Sequence, residues 1–263
     1  TSQWGNIKII HLDSMEVVDY ALEKLDEMVL TYMNDDFRKI LPHKILLADI
    51  VSSLSAAPPD SFIGESDYTE TGTYTAFGNP TYMFAFNKES MERYSETNWM
   101  NSRNVKLYNF ICYVINLRNL YDEIPATFYS SVSHLHGVSI DSIAELEDEL
   151  PVGIGSYRNY YKPEWYINLG MVLTKKSPSA YGSGALTTRL MVGRNYLFPT
   201  KERDFRNFLN LMLFETEANL RTYYLPSETF KERLLIAIET FEKWGIDILR
   251  INPNLEMFMN NEK

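Results

Sequence analysis

Residues 108–129 read YNFICYVINLRNLYDEIPATFY. Tyr108, Ile111, Cys112, Ile115, Leu117 and Leu120, with Val105 just upstream, set apolar side chains on most sides of a helix predicted over 101–121. A helix that is apolar nearly all round belongs in the centre of a fold rather than on its surface. Pro125 cannot continue it, and a short second helix is expected beyond that point.

Upstream, residues 14–33 form an amphipathic pattern. Met15, Val18, Leu22, Leu25, Val29 and Tyr32 recur at three- and four-residue steps. Asp13 and Glu16 have the spacing of a capping box. The segment RKILPHKILLADIV then gives a turn at Pro42 and a strand over 44–51. Residues 53–80 are rich in Ser, Pro, Gly and Thr and read as loop, and 81–86 as a second strand. Downstream of the short helix, a long polar connection runs through residue 162. PEWYINLGMVL, 163–173, follows as a helix with Pro163 near its first turn. SPSAYGSGA is loop, and helices are predicted at 185–197, 201–214 and 226–244. The last carries Phe230, Leu234, Ala237, Ile238 and Phe241 on one face, with Gly245 placed to cap it in the left-handed region. Many helices and few strands predict a helix-dominated α+β fold with a small sheet.

Composition narrows the function. The chain has 263 residues, 45% of them hydrophobic, enough for a sizeable core. Net charge is −10 with no basic run, which disfavours nucleic acid and anionic membrane surfaces as partners. One cysteine, Cys112, excludes an internal disulfide framework. No window is apolar enough to span a bilayer. TSQWGNIKII lacks the pattern of a signal peptide, so the sequence fits either a cytosolic protein or a chain that starts after a removed leader.

No nucleotide-binding glycine motif and no serine-hydrolase elbow is present. Cys112 reads as a small core hydrophobe. His134 and His136 form an H-x-H with Asp141 nearby, a weak zinc-chelating pattern, and Glu123 is a further candidate beside them. His11 and His43 stand alone, and ELEDELP (145–151) reads as a solvated face. Two aromatic-rich stretches are candidate contact surfaces. One is the loop with Tyr68, Tyr74 and Phe77; the other is SYRNYYKPEWY, with Tyr157, Arg158, Tyr160, Tyr161 and Trp165. The alternative is that these rings pack their own loops.

Four pieces in order resemble one family. MVLTYMNDDFRKILPHKILLADIVS, IPATF with Pro125 and Phe128, NLGMVLTKKSPSAYGSG, and KERLLIAIETFEKWGIDILRI match segments of the zinc-binding metallopeptidase-like lipoproteins that accompany SusC/SusD-type nutrient importers of Bacteroidota. The resemblance covers roughly residues 15–252. Counted back from Pro125, the family's HExxH motif falls on Cys112, Tyr113, Val114, Ile115 and Asn116. In that motif two imidazoles one helical turn apart hold zinc, and the glutamate takes a proton from the bound water. Here a thiol, a phenol and an amide stand in their places, and a phenol does not act as a carboxylate base at neutral pH. The family's third ligand falls near Thr187–Met191, where there is no acid and where Arg189 and Arg194 have the wrong charge.

The resemblance implies a single zincin-like domain over 1–263, with a remnant segment at 1–14, a core at 15–252 and a tail at 253–263. It implies a non-catalytic pseudo-metallopeptidase without metal or cofactor. Such a protein would be an accessory binding or structural subunit of a SusC/SusD-type outer-membrane uptake complex. It would be held at the cell surface by an upstream lipid anchor and open to a glycan or peptide ligand. Two other readings stay open: a hydrolase with a metal site at His134 and His136, and a soluble intracellular interaction protein. The family's extended N-terminal section is matched here only by WGNIKIIHLDS, in which NIKII is the candidate remnant strand.

Overall fold

The computed structural model describes residues 2–4, 7–54, 68–71, 73–75, 81–138, 163–172 and 198–259. The chain divides into two compact units, Thr1–Asn119 and Leu120–Lys263. The chain is helix-dominated α+β, and all its described strands lie in the first unit.

That unit begins with two strands, β1 (Ser2–Trp4) and β2 (Ile7–Ile10), so the described IKII of NIKII is strand. Helix α1 (Met15–Met28) follows, and a 3-10 turn over Leu30–Tyr32 extends it. Its cap is Ser14, whose hydroxyl accepts from Val17 N at 3.3 Å, and not the expected Asp13. The buried face also differs. Ala21, Leu25 and Met28 are buried, whereas Met15 and Leu22 are exposed. Helix α2 (Asp35–Lys39) starts where Asn34 Oδ1 accepts from Asp36 N and Phe37 N, both at 3.0 Å.

The apolar run after Pro42 is one stretch of chain used twice. Its first half, β3 (Lys44–Ala48), pairs parallel with β7 (Thr81–Ala85). Its second half, β4 (Ile50–Leu54), pairs antiparallel with β2 and with β5 (Tyr68–Thr71). The switch falls at Asp49, whose N–H donates to Ile10 O at 2.9 Å and whose Oδ1 accepts from Asn87 Nδ2 at 2.8 Å. Strand β6 (Thr73–Thr75) lies antiparallel on the far side of β7. The sheets therefore run β1-β2-β4-β5 and β3-β7-β6. Ile7, Ile9, Ala48, Val51, Met83 and Ala85 form one apolar cluster drawn from both. Strands β5 and β6 overturn the reading of 53–80 as loop throughout, and Tyr68 and Tyr74 lie on them. Thr and Tyr suit a pleated surface, and distant pairing partners decide the outcome.

After α3 (Lys88–Met91), helix α4 (Glu96–Arg118) runs 23 residues, starting earlier than predicted behind the N-cap Ser95. It packs on β7 through aromatic contacts: Phe110 meets Tyr82 at 4.8 Å and Phe84 at 5.1 Å between ring centres. Asn119 ends it in the left-handed region at φ 54°. Arg118 ties that end to the turn after α2, donating to Ile40 O at 2.7 Å and Leu41 O at 2.8 Å.

Among its described residues the second unit is helical. It holds α5 (Ala126–Ser130), α6 (Pro163–Asn168), α7 (Lys201–Phe214), α8 (Glu217–Asn219), α9 (Glu228–Trp244), α10 (Ile248–Ile251) and α11 (Glu256–Met259). Helix α6 is shorter than the predicted 163–173, because Gly170 turns the chain at φ 84°. Helix α9 matches its predicted face, since Phe230, Leu234, Ala237, Ile238 and Phe241 are all buried, and Gly245 caps it at φ 94°. Within the expected tail at 253–263, the described residues form a 3-10 turn over Pro253–Leu255 and then α11, and Leu255 and Phe258 are buried. The helix predicted at 185–197, Thr187–Met191, Arg189, Arg194, Asp141, Phe77, Tyr157, Arg158, Tyr160 and Tyr161 lie outside the described residues. Trp165 sits in α6.

Candidate functional site

The positions that the resemblance matches to the HExxH motif lie in the C-terminal third of α4. Cys112 is buried, Tyr113 half-buried and Asn116 exposed. The Tyr113 hydroxyl donates to Thr81 O on β7 at 3.4 Å, and its ring meets Tyr82 at 5.1 Å between centres. Burial raises the Tyr113 pKa, so the phenol keeps its proton at neutral pH. Tyr113 is thus tied to a strand. This donor set does not fit zinc: an amide is a poor ligand, and the thiol one turn earlier lies on the buried side of the helix. Among the described residues no group of three or more His, Cys, Asp or Glu side chains is placed to hold a metal ion.

The histidines of the H-x-H segment part company. Residues 131–137 are turns rather than a strand, so the two do not share a face. His134 is exposed, while the His136 side chain is turned inward. Its Nε2–H donates to Asp204 Oδ2 at 2.9 Å, the carboxylate being acceptor only. Glu123 accepts from Trp244 Nε1 at 3.1 Å.

Asp204 and Arg233, which the sequence reading passed over, form the most heavily buried charged cluster among the described residues. Asp204 is 0% exposed and Arg233 2%. Arg233 NH2 donates to Asp204 Oδ2 at 2.5 Å, Nε to Phe128 O at 2.9 Å, and NH1 to Gly170 O. Its guanidinium carbon lies 4.3 Å from the Phe128 ring centre and 4.8 Å from that of Phe208. One side chain therefore joins α5, the turn after α6, α7 and α9. Burial works against its charge and lowers its pKa, while the Asp204 carboxylate opposes that. Burial also raises the phenol pKa values of Tyr129 and Tyr166, with Asp204 adding to the effect. The Tyr129 ring meets His136 edge-on at 5.6 Å.

The cluster has the parts of an acid–base dyad, an imidazole oriented by a carboxylate. Its packing is that of a structural junction. Among the described residues, Asp204 Oδ1 and His136 Nδ1 are buried with no hydrogen-bond partner. The signal in the sequence was opposite charges on apolar faces. Asp204 precedes Phe208 by four residues, and Arg233 follows Phe230 by three and precedes Ala237 by four.

No family model matches the sequence, and no curated protein or solved structure matches it significantly.

Proposed function

We propose that this chain is a non-catalytic protein on a metallopeptidase-like scaffold. In this reading it serves as an accessory binding or structural subunit of a SusC/SusD-type outer-membrane uptake complex, held at the cell surface by a lipid anchor. The observation that carries the non-catalytic part is the use of Tyr113. Where the resemblance puts a general base, a phenol is spent on packing against Tyr82 and on Thr81 O. Buried Cys112 and exposed Asn116 flank it in place of two imidazoles. Helix α4 is retained as a core element against β7, and its chemistry is replaced by contacts.

The transporter part rests on the four matched segments. Its test is affinity purification of the tagged full-length protein from native outer membranes. Recovery of a SusC/SusD-type pair in stoichiometric amount is expected, and its absence sinks the assignment. The non-catalytic part is tested by metal analysis. Stoichiometric zinc that is lost on Cys112→Ser or Asn116→Ala overturns it.

A further inference from the structure

Helix α1 carries an apolar stripe beyond the one it buries. Ala21, Leu25 and Met28 face the core. At about 100° per residue, Met15, Val18 and Leu22 fall within an arc of roughly 60° beside that buried face. Met15 is 71% exposed and Leu22 50%, and Val18 is half-buried. Asp19, Glu23 and Asp26, all exposed, border the stripe on its outer side. Lys24, the one cation on the helix, lies 2.5 Å from Glu27 and 3.5 Å from Glu23. Asp19 and Asp26 form no ion pair among the described residues.

Water-exposed apolar side chains at a regular helical step, with carboxylates along one border, define the chemistry of what covers them. A second copy would set the same carboxylates against each other on a chain of net charge −10. An anionic bilayer would be repelled for the same reason. A helix with its own apolar ridge edged by lysine or arginine satisfies both features at once. Met15, unbranched and adaptable, suits such a contact. We infer that the Met15–Val18–Leu22 face of α1 docks a basic amphipathic helix of a partner protein. The inference does not depend on the transporter assignment, because it rests on α1 alone.

The test uses the full chain and a fluorescent synthetic amphipathic helix with a leucine ridge flanked by lysines, titrated by anisotropy. Saturable binding at low salt is expected. It should weaken about tenfold in Met15→Ser/Leu22→Ser and about threefold in Asp19→Asn/Glu23→Gln/Asp26→Asn, with circular dichroism and melting temperature unchanged in both. Absence of binding to the unaltered chain overturns the inference, as does equal binding by the variants. Equal binding of a peptide whose lysines are replaced by glutamate also overturns it. So does capture of the chain by anionic vesicles, or a dimer in light scattering that Leu22→Ser dissolves. Copurification with transporter proteins is untouched by any of these results, so the two ideas fail separately.

Discussion

Replacing Arg233 by methionine should be the most damaging single change in the second unit. The substitution keeps much of the side-chain volume and removes the charge. Asp204, 0% exposed, is then left as a buried charge without its cation, which costs about 3–5 kcal/mol. The carbonyls of Phe128 and Gly170 lose a charged donor, at about 1 kcal/mol or more each. Methionine keeps apolar contact with the Phe128 and Phe208 rings and offsets about 1–2 kcal/mol. The expected net loss is about 4 kcal/mol, a large part of the roughly 5–15 kcal/mol that holds a domain folded. Hydrogen exchange read by mass spectrometry on peptides from α7 and α9 reports opening of that unit directly. The companion variant Asp204→Leu should lose a similar amount, because it strands the guanidinium. The double variant should lose at least about 2 kcal/mol less than the sum of the two, since neither charge is then left alone. A loss below about 1 kcal/mol for Arg233→Met, or strict additivity in the double variant, refutes the junction.

Gly170→Ala should lower the melting temperature and cost about 1–3 kcal/mol. The residue sits at φ 84°, and a Cβ there would lie 3.0 Å from Thr229 Cγ2 and 3.1 Å from Arg233 Cδ. Glu242→Gln should stabilise slightly at neutral pH. Burial first, then Asp247 and Glu239, raise the pKa of Glu242, so its ionised form opposes folding. The gain, at most about 0.3 kcal/mol because the exposed side chain is screened by solvent, should be present at pH 7 and vanish on acidification to below the unfolded carboxyl pKa, where both states are protonated; urea titrations at the two pH values check it. Tyr82, Tyr129 and Tyr166 all have pKa values raised mainly by burial. Stability they contribute is full below the unfolded phenol value of about 10 and falls as pH rises beyond it. Phenolate absorbance near 295 nm should therefore show a late fraction that appears only together with loss of the helical circular dichroism signal.

The elements legible from the sequence are those whose own residues decide them. Helix α9 combines a 3.6-residue apolar period with a glycine that ends it, and both Phe241 and Gly245 sit as read. Strand β7 and the helix around Phe110 are apolar enough to be core under any topology. Helix α4 starts ahead of the predicted 101 because ETNWMN, 96–101, has only the adjacent pair Trp99 and Met100 and no 3.6-residue apolar period, although Ser95 followed by Glu96 is a helix-opening pair. For α1 the period was right and the centre of the buried arc was wrong. Small Ala21 faces inward while Met15 and Leu22 face water, and periodicity alone does not say which edge of an apolar arc touches a neighbour. Strands β5 and β6 are made by pairing with β4 and β7, information that no local window holds. The Arg233–Asp204 pair was visible only as two charges in apolar faces, and their meeting required the helices to be packed.

The doubled use of Lys44–Leu54 has a consequence for how the first unit forms. Its β3 half must find Thr81–Ala85 in parallel, across some thirty residues of intervening chain, a closure that is entropically slow. Its β4 half can zip onto Ile7–Ile10 from the other side. Since the halves are contiguous through Asp49, a one-residue slip in either is transmitted to the other and turns every inward side chain of both sheets outward. Alignment is therefore proofread twice on a single segment, and a one-residue insertion at Asp49 would uncouple the two checks.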